Sequence, residues 1–201
     1  AGGIGPQVPT LPISVGDSRT WHRGLSTGSM ADTMSTLARG QVDYCFLGGA
    51  QIDRFGNINA TVIGDYDHPR VRLPGSGGSM EIAGWANRCY IMTPHQKRRF
   101  PEKVDFATSA GFLAGRWQRE ATGARGGGPL AVVTDLGLLE PDANGELVLT
   151  TLHPGMTVEQ ARANTGWELK ISSDLHYTQP PSAEELRILR EELDPQGIYL
   201  K

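Results

Sequence analysis

Three groups of residues have the types and spacing for chemistry. The first is Gly75-Ser76-Gly77-Gly78, a turn just ahead of a predicted helix. Its glycines expose backbone N–H groups and let an acyl or phosphate oxygen come close, and a helix start favours negative charge there. The same four residues also suit an ordinary flexible turn, and they lack the Gly-x-x-x-x-Gly-Lys-Ser/Thr spacing of a phosphate-binding P-loop. The second group is Gly48-Gly49-Ala50-Gln51-Ile52-Asp53, which could set Gln51 over a ligand; Asp53 to Asn57 also reads as a plain turn. The third is His95 with Lys97, Arg98 and Arg99, able to hold a phosphate or a carboxylate, or to form only a solvated basic rim. His22, His68, His153 and His176 lack metal-ligand spacing, and His153 beside Pro154-Gly155 reads as structural. No Glu precedes Glu81, so a nucleophilic carboxylate ahead of it would be an Asp.

These groups need elements to position them. Apolar spacing predicts a helix over Met30–Ala38, closed by Gly40, and a strand over Val42–Leu47. That strand delivers Gly48-Gly49-Ala50 at its C-terminal end, where α/β sheets usually bind ligands. A strand over Asn57–Ile63, a helix over Met80–Ala86 and a strand over Cys89–Thr93 follow. Residues 118–129, rich in Arg and Gly, predict a mobile or ligand-facing loop. Leu130–Thr134 is a predicted strand, and Leu136–Leu139 with Leu147–Leu152 a predicted hairpin around Asp142-Ala143-Asn144-Gly145. Thr157 with Gln160, and Ser182 with Glu185, are capping boxes that open two further helices, the second stopped at Asp194-Pro195. Pro6, Pro9 and Pro12 favour extended chain near the start. Strands alternating with helices make this an α/β chain with an open mixed or parallel sheet flanked by helices.

The 201 residues suit one large domain or two small ones closely packed, and residues 1–201 are read as a single α/β domain. Hydrophobic residues make up 38%, and no apolar run is long enough for a membrane-spanning helix. A net charge of −3 carries no basic excess, which argues against electrostatic nucleic-acid binding. Cys45 and Cys89 make neither a disulfide framework nor a zinc pattern, so no metal is expected and a reducing cytoplasm is the expected setting. The opening Ala1-Gly2-Gly3-Ile4-Gly5-Pro6 has neither an initiator Met nor a signal peptide. It reads as a chain whose N-terminal portion lies outside this sequence.

Taken as strings, several segments resemble the β subunits of glutaconate-type CoA-transferases, within the family I coenzyme A transferases. They are Ser14-Val15-Gly16-Asp17, Phe46 to Asp53, Gly56 to Thr61, Ile63-Gly64-Asp65-Tyr66, His68-Pro69 and Gly75 to Gly78. His95 with Lys97 to Phe100, Val133-Thr134-Asp135, Asn164-Thr165-Gly166 and Arg190 to Pro195 continue the match in order along the chain. The resemblance implies an active site where α-type and β-type subunits meet, in an (αβ)2 or larger assembly. It implies a covalent ping-pong exchange of coenzyme A between acids, with coenzyme A as a substrate and no permanently bound cofactor. Gly75, Gly77 and Gly78 would form the oxyanion turn, and Ser76, Gly49, Ala50 and Gln51 would line the same pocket. His95, Lys97, Arg98 and Arg99 become candidates for contact with coenzyme A or with the partner subunit. The family's nucleophilic Glu-Ser-Gly motif aligns its Ser with Ala1 and its Gly with Gly2, which places the glutamate immediately before Ala1.

Two other uses of such a pocket stand beside transfer. A thioester oxygen held by amides would also stabilise the dienolate left when a glutaconyl-type thioester loses CO₂, and no nucleophilic glutamate is needed for that. A non-catalytic subunit that completes its partner's site is the third.

Overall fold

The computed structural model describes residues 2–199. The chain falls into two compact units, one made by residues up to Thr36 together with those from Gln179 onward, the other by Leu37–Thr178.

In the first unit, β1 (Gly3–Ile4) pairs antiparallel with β2 (Ser26–Thr27). Asp17 caps the 3-10 turn Ser18–Trp21 and forms an ion pair with Arg19 at 2.6 Å. The predicted Met30–Ala38 helix forms with those bounds as α1, whose sequence runs from this unit into the next. Ser182 caps Ala183–Arg187 with both bonds of its capping box to Glu185. The chain then continues as a π-helical turn, Ile188–Leu193, which stops at Asp194 because Pro195 cannot extend it.

The second unit is built on a six-stranded mixed sheet. In chain order it carries β3 (Tyr44–Leu47), a small hairpin of β4 (Gln51–Ile52) and β5 (Ile58–Asn59), and a second hairpin of β6 (Val62–Gly64) and β7 (Pro69–Arg72). Next come α2 (Ser79–Trp85), β8 (Arg88–Met92), α3 (Arg116–Ala121), β9 (Pro129–Val133), β10 (Gly137–Pro141), β11 (Leu147–Leu152), α4 (Val158–Ala163) and β12 (Lys170–Tyr177). The sheet order is β12-β11-β10-β9-β8-β3. β3, β8 and β9 run parallel, β9, β10 and β11 form an antiparallel meander, and β12 returns parallel to β11 through α4. Leu147 and Leu149 alternate inward along β11 and join Ile52, Ile91, Val132, Leu139 and Phe100 in the core. Each such fully buried side chain contributes about 1.5–3 kcal/mol.

Three elements differ from the sequence expectation. The Asn57–Ile63 strand is broken after Asn59, because the Asn59 carboxamide oxygen accepts the N–H groups of Thr61 (3.0 Å) and Val62 (3.3 Å) and turns the chain. β12 carries little sequence signal because its residues keep partial or full exposure at a sheet edge and show no clean alternation. Residues 118–129 are not one mobile or ligand-facing loop. They begin inside α3, and Arg119 is buried, 3% exposed.

Arg119 has no carboxylate partner among the described residues and instead organises carbonyls. Its guanidinium donates to Ala110 and Gly111 (3.0 and 2.9 Å), to Ala83 in α2 (2.8 Å), and twice to Gly126. One planar fork therefore ties α2, the 110–111 loop and the approach to β9 together. Burial lowers its affinity for a proton, yet the five bonds need the charged form. Arg119→Met is expected to lower the unfolding free energy by about 3 kcal/mol, since several buried carbonyls lose their donor. Urea denaturation of the variant checks this, and an unchanged midpoint would contradict the assignment.

Candidate active site

The segment Ile58–Thr61 carries both glycine loops. The Ala50 N–H donates to the Asn59 carbonyl at 2.8 Å, and the Gly75 N–H donates to the next carbonyl, Ala60, at 2.8 Å. Adjacent residues of one short strand and its exit thus fix Gly48–Ala50 and Gly75–Gly78. The support is itself immobilised. Asn59 is fully buried, and its side-chain N–H groups bond Gln51 Oε1 (2.7 Å) and the Val62 carbonyl (2.6 Å). Just upstream, Asn57 bonds the Asp53 carboxylate, the Gly111 and Leu113 N–H groups and the Leu113 carbonyl. Burial pushes the Asp53 carboxyl above its usual range, partly offset by the N–H groups it accepts.

The glycine turn has the features that chemistry on an oxygen requires. Gly75 and Gly77 sit at φ +93° and +50°, a region that a side chain disfavours, and a Cβ on either would meet no atom within 4 Å. The glycines there serve backbone conformation, with open space beside them. The Ser79 N–H closes the turn on the Ser76 carbonyl at 2.8 Å. Among the described residues, nothing accepts the N–H groups of Ser76, Gly77 or Gly78, and Ser76 and Gly77 are exposed. The helix that follows has only seven residues, so the turn amides themselves, more than a helix dipole, are what an anion would meet.

The other residues singled out in the sequence divide sharply. Gly49 is a packing glycine, since a Cβ would collide with Ile58 Cγ2. Gln51 is 6% exposed, and its amide donates to Asp105 at 3.0 Å and accepts from Asn59 and the Asp105 N–H. In this structure it braces the β4–β5 hairpin and does not reach over a ligand. Arg99 donates to the Gly49 carbonyl at 3.1 Å and so holds the first glycine loop, while Lys97 and Arg98 are exposed to solvent. Gly2, at φ +104°, lies in the first unit against the Gly28 carbonyl; Ala1 lies outside the described residues. A cavity of about 860 Å³ is lined by Asp53–Phe55, Glu102–Ala107, Gln118 and neighbours, and shares no lining residue with either glycine loop.

His95 is not placed to touch coenzyme A or a partner. It is 3% exposed, stacks on Phe100 at 4.4 Å, and its ring nitrogens meet the Thr134 and Thr165 hydroxyls at 3.2 and 3.0 Å. Burial lowers its pKa from 6.5 to about 4, against a smaller opposing pull from Asp135. Between those values the unfolded chain takes up a proton that the folded chain refuses. The contribution is therefore complete above about pH 6.5 and is lost as the pH falls toward 4. Denaturant midpoints measured at pH 7 and pH 5 should show this loss, and His95→Gln should flatten it; a variant with an unchanged pH slope would contradict the assignment.

The supports of the loops are what the sequence leaves hidden. Asn57, Asn59, Thr108 and Ser109 are polar and buried, and two asparagines within a strand-like stretch are the available signal.

Known proteins share this fold. The B-type subunit of 3-oxoadipate CoA-transferase from Pseudomonas knackmussii is 43% identical over 202 residues, covering 94% of this chain and 74% of the relative. The corresponding subunit of glutaconate CoA-transferase from Acidaminococcus fermentans is 42% identical over 158 residues, covering 78% of this chain and 59% of the relative. The crystal structure of that glutaconate CoA-transferase matches all of this chain, and 79% of its own, at a TM-score of 0.91 and 35% identity. The decarboxylase AibA/AibB matches 98% of this chain, and 76% of its own, at 0.83 and 27%. Residues 10–164 match the coenzyme A transferase family, and with relatives at this identity over most of its length the chain belongs to that family.

Proposed function

We propose that the chain is the B-type subunit of a heteromeric enzyme that moves coenzyme A between two carboxylic acids. The thioester it works on is that of a short dicarboxylic acid, of the glutaconate or 3-oxoadipate kind named in its relatives. The observation that carries this reading is the run of unpaired amides at Ser76–Gly78, presented on a rigid support. When a carboxylate attacks a thioester carbonyl, the carbonyl oxygen takes up the negative charge. Collapse expels the CoA thiolate and leaves a mixed anhydride, which the thiolate reopens at the other carbonyl, so that CoA has changed acids. Donors fixed at the developing oxyanion lower both barriers, each worth roughly 10²–10³ in rate. Because Ser76 and Gly77 face solvent, a second protein surface is needed to exclude water there, which supports an A-type partner in an (αβ)2 or larger assembly. Coenzyme A enters as a substrate with no permanently bound cofactor, and we place the complex in the cytoplasm. No described helix is long and apolar enough to cross a membrane.

The similarity to AibA/AibB supports a second reading, decarboxylation, in which the same amides stabilise the dienolate left by CO₂. Incubating the assembled complex with glutaconyl-CoA and acetate separates the two. Acetyl-CoA without CO₂ is expected, and CO₂ release without acyl exchange would replace transfer with decarboxylation. The isolated chain is expected to be inactive, and full activity without a partner would overturn the heteromeric reading. Gly77→Val, which forces a β-branched residue into φ +50° at an open surface, should cost at least about 100-fold in turnover while the melting transition persists. Undiminished turnover would remove the oxyanion role.

A further inference from the structure

Thr108 and Ser109 come well after the glycine turn in sequence, yet they reach both of its ends. At the front, Thr108 Oγ1 accepts the Ala60 N–H at 2.8 Å, and the Ala60 carbonyl accepts the Gly75 N–H at 2.8 Å. The Thr61 hydroxyl lies 2.7 Å from the same Thr108 oxygen. At the rear, Ser109 Oγ donates to Ser79 Oγ at 2.9 Å, and Ser79 is the first residue of α2. Between these points the 108–109 backbone is bridged to β5. Ile58 donates to the Ser109 carbonyl at 2.9 Å and accepts from the Thr108 and Ser109 N–H groups at 2.8 and 3.1 Å. Thr108 is 6% exposed and Ser109 fully buried. Removing either hydroxyl leaves a polar partner beneath the turn without its bond.

We infer that Thr108 and Ser109 are positioning residues for the Gly75–Gly78 turn, setting where its free amides stand relative to the thioester oxygen. This rests on the reading of that turn as an oxyanion site. Neither residue is catalytic, because both are spent on Ala60, Thr61 and Ser79 beneath the turn. The effect should be large for so small a change, since a misplacement of about 1 Å can cost on the order of 100-fold in rate.

The test uses Thr108→Val, Thr108→Ser and Ser109→Ala in the full chain assembled with its partner subunit. It measures kcat and KM for CoA exchange together with hydrogen–deuterium exchange at the Gly75 amide. Thr108→Val should lower kcat at least about tenfold with KM within about threefold, and should speed exchange at Gly75. Thr108→Ser, which keeps the hydroxyl, should retain at least half of the wild-type kcat. Should Thr108→Val fail to fold, Ser109→Ala, with an expected loss of about threefold in kcat, carries the same test. A folded Thr108→Val with wild-type kcat, or equal losses in the Ser and Val variants, would overturn the inference. Gly77→Val keeps the two readings apart. Turnover lost in Gly77→Val but kept in Thr108→Val sinks only the positioning claim, whereas turnover kept in Gly77→Val sinks the oxyanion reading.

Discussion

Two backbone hydrogen bonds, Ala50 N–H to Asn59 and Gly75 N–H to Ala60, fix both glycine loops to one short piece of chain. Their value depends on that piece being unable to move. Asn59 is fully enclosed, and its side chain bonds Gln51, Val62 and Thr61. Breaking one of these bonds leaves a buried group unpaired, which costs about 1–3 kcal/mol, so the network resists local rearrangement. The sheet and the Arg119 fork hold the surroundings, while this small polar cluster holds the two glycine loops.

The chain's glycines do two different jobs. Gly49 is required because Ile58 occupies the space where a Cβ would stand. Gly77 is required by its backbone angle, with nothing beside it. The Gly75–Gly78 turn, shaped by conformation and left open, keeps its amides available. The two glycines are thus required for different physical reasons, and the residue names alone cannot tell them apart. The 860 Å³ cavity lined by Asp53 and Glu102–Ala107 shares no residue with the turn, whose amides stand open on the surface.

Local rules are legible in the sequence, and long-range ones are not. Thr157 with Gln160 and Ser182 with Glu185 announce their helices because a capping box is satisfied within four residues. The β10–β11 hairpin is legible through its Leu alternation and the Asp142–Gly145 turn. Arg119 reads as part of a loop, since its five bonds go to carbonyls from three separate places in the chain. His95 misleads for a related reason. Its neighbours Lys97, Arg98 and Arg99 advertise a basic surface, but Thr134, Thr165 and Phe100 enclose the ring. Gln51 directly follows the Gly48–Ala50 loop, and only the fold reveals its burial against Asn59 and Asp105.

If the Ser76–Gly78 amides bind the oxygen of a CoA thioester, the bound carbonyl itself must register their hydrogen bonds. The most direct measurement is the vibrational frequency of a ¹³C=O-labelled acyl-CoA bound to the assembled complex, read by difference infrared spectroscopy. Hydrogen bonding from preorganised donors polarises the carbonyl, so its stretch should fall relative to that of the thioester in water. It should return toward the solution value when Gly77→Val displaces the turn. A bound carbonyl at its solution frequency, or a lowered frequency that survives Gly77→Val, would contradict the claim.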